Sequence, residues 1–311
     1  MPDLLFIKTS SLGDVIHHMP AVTEARARRP ELRIAWVVEK AFAPLARLHP
    51  AVDEVIPVSG RDWRRGAAWG EVGAFFRALR ARHYDVVIDT QGLVKSAAIA
   101  RFAHGPRHGY DAQSIKEPFA SRLYGVRHSV AWQQHAIARN RALTGLALGY
   151  APEGPPDYGL NRMRLAEPWA APYAVLLHAT ADRGKEWPEP NWRALVAALS
   201  RDIDVVLPHG SERERARSER IAAGMPRARV PERQALDGVA RLVAGASFVV
   251  GVDTGLLHLA AALGVPLVAI FAGSEPDLTG PIGSGPITVL GAKGAPPPVD
   301  EVTQAVARIK V

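Results

Sequence analysis

The sequence predicts an α/β protein of two Rossmann-like domains in tandem. Three observations carry that expectation. Apolar runs of about five residues alternate with helical patterns along most of the chain, as parallel βαβ units require. A proline- and glycine-bearing stretch without periodicity interrupts the alternation near the middle. The 311 residues also exceed what one ordinary core holds and suit two domains of roughly 150 residues.

The elements follow in order. A strand over 4–8 (LLFIK) ends at a polar turn, Thr9-Ser10-Ser11 with Gly13, and a helix runs over 15–28. Strands over 34–38, 54–58 and 86–89 are each followed by a helical pattern, at 42–48, 72–81 and 94–103. The stretch 151–172 (APEGPPDYGLNRMRLAEPWAAP) breaks the series and divides the chain into domains 1–155 and 156–311. A second series then begins with strands over 174–178 and 204–208, each followed by a helix, at 192–199 and 212–223. It continues with a helix over 236–244, a strand over 248–252, a helix over 256–263 and a strand over 267–271. A last segment, 300–310, carries Val302, Ala305, Val306 and Ile309 at helical spacing, an apolar stripe able to pack back across the domain boundary.

Composition removes several classes of function. The chain is 48% hydrophobic and 22% charged, which disfavours disorder and fibrous repeats. It contains no cysteine, and so no disulfides, thiolate metal sites or cysteine nucleophiles. Its start, MPDLLFIK, lacks the basic region of a signal peptide. The longest apolar stretch, 256–271, is broken by His258, Gly264 and Pro266 and is shorter than the roughly 20 residues of a membrane span. A soluble cytoplasmic protein is expected. The net charge of +7 is unevenly spread: residues 1–150 hold 21 Lys and Arg against 13 Asp and Glu, or +8, and residues 151–311 hold 17 against 18, or −1. Such asymmetry points the first half at an anionic partner, or else is a solvated arginine-rich surface.

Ligands of open parallel sheets bind beyond the carboxyl ends of the strands, so the residues after each strand are the candidates. Thr9-Ser10-Ser11-Leu12-Gly13-Asp14 follows the first strand. Asp14 is either a first-turn carboxylate favouring the helix dipole or a general base projecting into a cleft. Neither GxGxxG nor GxxxxGK[ST] occurs near this turn, which weakens dehydrogenase and kinase readings. Asp89-Thr90-Gln91-Gly92 with Lys95 follows the fourth strand, and Thr90 either meets a ligand or caps the next helix. Arg61, Arg64 and Arg65 share one short loop with Asp62 and Trp63. Their guanidinium forks suit phosphate and carboxylate, although a solvated loop has the same composition. No nucleic-acid-binding motif accompanies them. In the second half, 178–188 (HATADRGKEWP) places the Lys185 cation where it can meet a diphosphate. Asp253-Thr254-Gly255-Leu256-Leu257-His258 opens a helix whose N–H groups form an anion site. There Asp253 either accepts sugar hydroxyls or caps the helix.

KTSSLGDVIHHMPAV, DTQGLVKSA, LLHAT with GKEWP, and VDTGLLHLAAALGVP together resemble the bacterial heptosyltransferase I family of lipopolysaccharide synthesis, along nearly the whole chain. The resemblance implies a GT-B glycosyltransferase, two Rossmann-like domains facing a cleft, the first for the acceptor and the second for ADP-heptose. It implies Asp14 as catalytic base, Thr180, Lys185, Glu214, Asp253, Thr254, Gly255 and His258 as donor-binding positions, and Lys185 as a catalytic cation as well. Ser10, Ser11, Gly13, Arg61, Arg64, Arg65, Gln91 and Lys95 would face the acceptor, the Kdo region of Kdo-lipid A. The implied enzyme inverts the anomeric centre in one displacement and needs neither cofactor nor metal, because Lys185 and helix N–H groups stabilise the departing ADP. It would work from the cytoplasm, peripherally on the anionic inner face of the inner membrane, without nucleic acid. Alternatives are an ADP-heptose transferase acting further out in the core, like heptosyltransferase II, a non-catalytic lipid-A-binding protein, or a Rossmann oxidoreductase. The chain departs from the family pattern at Ala181, where a second threonine is usual, and at Asp62 within the basic loop.

Overall fold

The computed structural model describes residues 1–59 and 69–309. The chain divides into two compact units, Met1–Gly159 and Leu160–Val311. Residues 156–159, which the sequence assigns to the second domain, thus group with the first. The cause is local packing: Tyr158 is buried, and a Cβ on Gly159 would lie 2.8 Å from both Thr23 and His49 of the first unit.

The first unit holds strands β1 (Asp3–Ile7), β2 (Arg33–Glu39), β3 (Glu54–Val58), β4 (Val86–Asp89), β5 (Arg107–Tyr110) and β6 (Val126–His128). Among the described residues they form one parallel sheet in the order β3-β2-β1-β4-β5-β6. Helices α1 (Leu12–Arg28), α2 (Ala43–Ala46), α3 (Trp69–Arg80), α4 (Val94–Phe102) and α5 (Ala136–Leu148) accompany it. Leu4, Leu5, Phe6 and Ile7 are all buried: with helices on both faces, a central strand reads as a continuous apolar run, not an alternating one. Helix α1 buries one face through Val15, Ile16, Met19 and Val22, and Asn140 of α5 donates to the His17 carbonyl at 3.0 Å.

The second unit repeats the plan. Its strands are β7 (Tyr173–Leu177), β8 (Asp204–Val206), β9 (Ala228–Arg229), β10 (Phe248–Val252), β11 (Leu267–Ile270) and β12 (Ile287–Leu290). They lie parallel in the order β12-β11-β10-β7-β8-β9, the same order as in the first unit when counted from β7. Its helices are α6 (Arg162–Leu165), α7 (Glu189–Leu199), α8 (Glu212–Ala222), α9 (Leu236–Gly245), α10 (Gly255–Ala262) and α11 (Val299–Ile309). Val302, Ala305, Val306 and Ile309 are buried in the second unit's own core with Trp187, Trp192, Leu195 and Ile270. There they cover the face of the sheet under β11.

In each sheet the strand order reverses between the first and fourth strands of the unit, β1 and β4 or β7 and β10. Such a switch point opens a crevice beyond the carboxyl ends of those strands. Register keeps the ends level: Ile7 pairs with Asp89 and Leu177 with Gly251. Among the described residues no helix is long and apolar enough to cross a membrane.

Candidate active site

The first crevice gathers the turn after β1 and the turn after β4. The Gln91 side-chain oxygen accepts from the Thr9 and Ser10 backbone N–H groups at 3.0 and 3.1 Å, and Lys95 Nζ donates to Ser10 Oγ at 3.1 Å. Asp14, in the first turn of α1, accepts the Ser11 N–H and hydroxyl through Oδ2 at 2.7 and 3.1 Å. It therefore does cap its helix. Its other oxygen lies 4.0 Å from Lys8 Nζ, with the Asp14 side chain 40% exposed and that of Lys8 6%. One carboxylate thus supports the helix start and still presents an oxygen to solvent.

Below this turn sits a buried polar layer that sequence reasoning did not assign. Lys8 Nζ donates to the Thr90 carbonyl at 3.0 Å. Burial lowers its ammonium pKa from the ordinary lysine range, against the opposing pull of Asp14 and Asp89. Asp89 accepts the Tyr124 hydroxyl at 2.7 Å and the Gln91 N–H at 2.9 Å; burial pushes its carboxyl pKa up while these donors work the other way. Thr90 caps no helix here: its hydroxyl meets His18 Nδ1 at 3.2 Å. Burial, with Lys8 adding to it, takes His18 well below the usual imidazole range, so His18 is neutral. The signal for this layer was a lysine closing an otherwise apolar strand, but a lone strand-end lysine is usually solvated.

The second crevice centres on Asp253. Its Oδ2 accepts Lys185 Nζ at 2.7 Å and Ser274 Oγ at 2.6 Å, and Oδ1 lies 4.0 Å from His258 Nε2. Burial alone would raise this carboxyl, yet the Lys185 ammonium and the Ser274 hydroxyl hold it below the ordinary range. Thr180 Oγ1 donates to the Asp253 carbonyl at 2.9 Å, tying the loop after β7 to the loop after β10. Asp253 does not cap the helix that follows. Thr254 is the N-cap of α10, its hydroxyl making no capping bond, and Gly255 is the first helical residue. The loop that brings Lys185 in is pinned from behind by Arg217 of α8, which donates to the His178 and Trp187 carbonyls at 3.0 and 2.7 Å. Glu214 lies one turn earlier on that helix, on the same side as Ser218, which meets His178 at 2.7 Å. Its own carboxylate is engaged with the Gly210 N–H at 2.7 Å and is not joined to the Asp253 group.

The structure therefore brings together Ser10, Ser11, Asp14, Gln91 and Lys95, with Gly13 on the same turn, and separately Thr180, Lys185, Asp253 and His258, with Thr254 and Gly255 opening the adjoining helix. Arg61, Arg64 and Arg65 lie outside the described residues. Ser274 was missed: it stands four residues past the end of β11, in a stretch, Ala272-Gly273-Ser274, that in one dimension reads as an ordinary loop. Its neighbour Gly273 packs so closely that a Cβ there would lie 2.2 Å from the Gly184 carbonyl oxygen. Gly273→Ala is expected to push the turn carrying Lys185 aside, costing about 1–3 kcal/mol of stability. Thermal denaturation of the variant checks this.

Comparison with known proteins identifies the architecture. Residues 72–305 match the model of Glycosyltransferase family 9 (heptosyltransferase). The chain belongs to this family. As a family 9 glycosyltransferase it is 45% identical over 291 residues to Lipopolysaccharide heptosyltransferase 1 of Escherichia coli (strain K12), covering 90% of this chain and 91% of that protein. It is 47% identical over 289 residues to the enzyme of the same name from Pseudomonas aeruginosa, covering 90% and 81%. Likeness to Lipopolysaccharide heptosyltransferase 2 of E. coli (strain K12) falls to 26%. Among solved structures, E. coli heptosyltransferase WaaC with ADP superimposes with a TM-score of 0.92 at 41% identity, over 98% of this chain and 99% of that one. The two parallel-sheet units of this family 9 transferase are thus of the GT-B type.

Proposed function

We propose that the chain transfers L-glycero-D-manno-heptose from ADP-heptose to the Kdo region of Kdo-lipid A, with inversion at the anomeric carbon. The observation that carries this reading is its likeness to E. coli heptosyltransferase WaaC with ADP-2-deoxy-2-fluoro heptose, at a TM-score of 0.90 over 98% of the chain. The identity of 45–47% to heptosyltransferase 1 against 26% to heptosyltransferase 2 favours the first transfer over one further out in the core. In this reading the first unit, Met1–Gly159, forms the acceptor domain and the second, Leu160–Val311, the donor domain.

The chemistry needs two things that these residues can supply. An alcohol is a weak nucleophile, so a base must take its proton as the new C–O bond forms; Asp14, with one oxygen anchored to Ser11 and the other open, has that role. The departing ADP accumulates charge on its diphosphate, and Lys185 with the N–H groups at the start of α10 answers it electrostatically. Asp253, Thr180, His258 and Glu214 orient the donor, and Ser10, Ser11, Gln91 and Lys95 the acceptor, together with Arg61, Arg64 and Arg65. No metal or cofactor takes part.

The lipid acceptor places the enzyme peripherally on the cytoplasmic face of the inner membrane, drawn there by the +8 balance of residues 1–150. Attraction of that kind weakens as the Debye length falls from about 10 Å at 0.1 M to about 3 Å at 1 M ionic strength. The test is a transfer assay with purified protein, ADP-heptose and Kdo-lipid A, read by mass, with and without excess EDTA. A product heavier by one heptose, formed equally in both, is expected. No product with this acceptor would defeat the assignment, and loss with EDTA restored by Mg²⁺ would defeat metal independence.

A further inference from the structure

We propose that the first unit carries a second anion site, at the end of its sheet remote from the strand-end crevice, and that this site takes a phosphate group. Arg80 in the last turn of α3, Arg101 and Phe102 in the last turn of α4, and His104, Gly105 and Arg107 leading into β5 line a cavity of about 530 Å³. The catalytic candidates stand at the carboxyl end of β4. This cavity stands at the amino ends of β4 and β5, where the Tyr84 N–H donates to the His104 carbonyl and the Val87 N–H to the Pro106 carbonyl at 2.8 and 2.9 Å.

The cavity wall is fixed by the fold. Gly105 adopts φ +145°, and a Cβ there would lie 2.1 Å from the Tyr84 carbonyl oxygen, so the turn is clamped onto the strand before it. That clamp holds His104 and Arg107 on one side of the cavity, while α3 and α4 bring Arg80 and Arg101 to it. Arg80 Nε points at His104 Nε2 at 3.3 Å, and Arg107 Nε donates to the Leu123 carbonyl at 3.3 Å. Among the described residues none of the three arginines pairs with a carboxylate, whereas Arg26, Arg33, Arg82 and Arg141 of the same unit do.

A single cation in the last turn of a helix is the ordinary complement of the helix dipole. That accounts for Arg80 or Arg101 alone. It does not account for Arg107 and His104, which arrive from a different element and share the same cavity. Three guanidinium groups lining one space set up a positive potential there that an anion would neutralise. A carboxylate, planar with two oxygens, satisfies one fork; a phosphate has enough peripheral oxygens to serve several at once. Phe102, 48% exposed, adds an apolar surface to the lining, so the phosphate is either free or the headgroup of a lipid.

The test uses the full-length protein and the imidazole resonances of His104, assigned by their loss in His104→Gln. Inorganic phosphate is titrated against chloride at equal ionic strength. In parallel, binding to phosphatidylglycerol vesicles is measured against phosphatidylcholine vesicles. The His104 resonances are expected to shift saturably with phosphate and not with chloride. In Arg80→Ala/Arg101→Ala the apparent affinity should fall about tenfold or more, as expected for lost charge-assisted hydrogen bonds. Arg101→Gln alone, at an exposed position, gives a smaller loss in the same direction if the double variant folds poorly. If the variants lose vesicle binding by a similar factor, the headgroup is the source; if vesicle binding is unchanged, the source is a free phosphate. Failure of His104 to respond to phosphate, together with equal vesicle binding by parent and variants, would overturn the proposal. Heptose transfer with a soluble acceptor analogue should stay at the parental rate throughout.

Discussion

Asp14→Asn is expected to lower turnover by about 10²- to 10⁴-fold, the usual loss when a positioned general base is removed, while the folded protein melts close to the parental temperature. The asparagine keeps an oxygen that can accept the Ser11 N–H, so the start of α1 stays capped while the proton acceptor is gone. Asp14→Ala removes both, and should lose a similar rate plus about 0.5–2 kcal/mol of stability, as for a lost helix cap. The pair separates the two roles that the structure allows this carboxylate. Turnover is measured by mass on Kdo-lipid A and stability by thermal denaturation. If Asp14→Asn kept more than half of the parental rate, Asp14 would be a capping residue and nothing more.

The second large effect is expected at Lys185. Lys185→Met should lower turnover by about 10²-fold, the scale of losing one preorganised charge at a developing anion, and weaken donor use. It also strands Asp253, whose side chain is only 14% exposed, with Ser274 as its closest remaining hydrogen-bond donor. A buried carboxylate deprived of its cation is destabilising, so part of the loss could arise from the fold alone. Lys185→Met/Asp253→Asn resolves this, since removing both charges should restore much of the stability and none of the rate. The pH dependence has a definite sign. Asp253 is depressed in the folded parent, so its contribution is present above the unfolded carboxyl value and is lost as pH falls through the lower folded value. In Lys185→Met that contribution above the carboxyl range should shrink, and the stabilities of variant and parent should converge as pH falls. Full recovery of turnover in the double variant would make Lys185 a structural partner of Asp253.

How far the sequence foretells this molecule depends on where in each sheet a residue lies. Central strands such as residues 4–7 and 248–252 declare themselves because burial on both faces leaves only apolar side chains. Strands β5 and β6, the last two on that side of the sheet with β6 its edge, escape such reasoning because Arg107, His108, Arg127 and His128 stand in the ladder, and β9 is two residues long. Helix α5 buries Asn140 and Thr144 with its leucines, which blurs its periodicity. The candidate site is legible in the same uneven way. Polar residues directly after a strand, such as Ser10, Asp14, Gln91 and Asp253, are visible in one dimension. Partners that arrive from another element are not: Lys8 reaches Thr90 across 82 positions, and Tyr124 reaches Asp89 across 35. Their chemistry is ordinary until the fold buries it.

The edges of the two sheets have a consequence for how the molecule tolerates crowding. An outer strand with bare N–H and carbonyl groups is a template on which another chain can extend a ladder. At one end of the first sheet, β3 carries Pro57, which has no N–H to offer. At the other, β6 is three residues long and holds Arg127 and His128. In the second sheet β9 is shorter still, with Arg229. The exception is β12, Ile-Thr-Val-Leu, whose Val289 is exposed; it stops after four residues at Gly291, which turns the chain away at φ +77°. Aggregation of the folded protein should therefore begin, if anywhere, along β12, and that strand is where a lysine facing solvent at Val289 would most improve its colloidal stability.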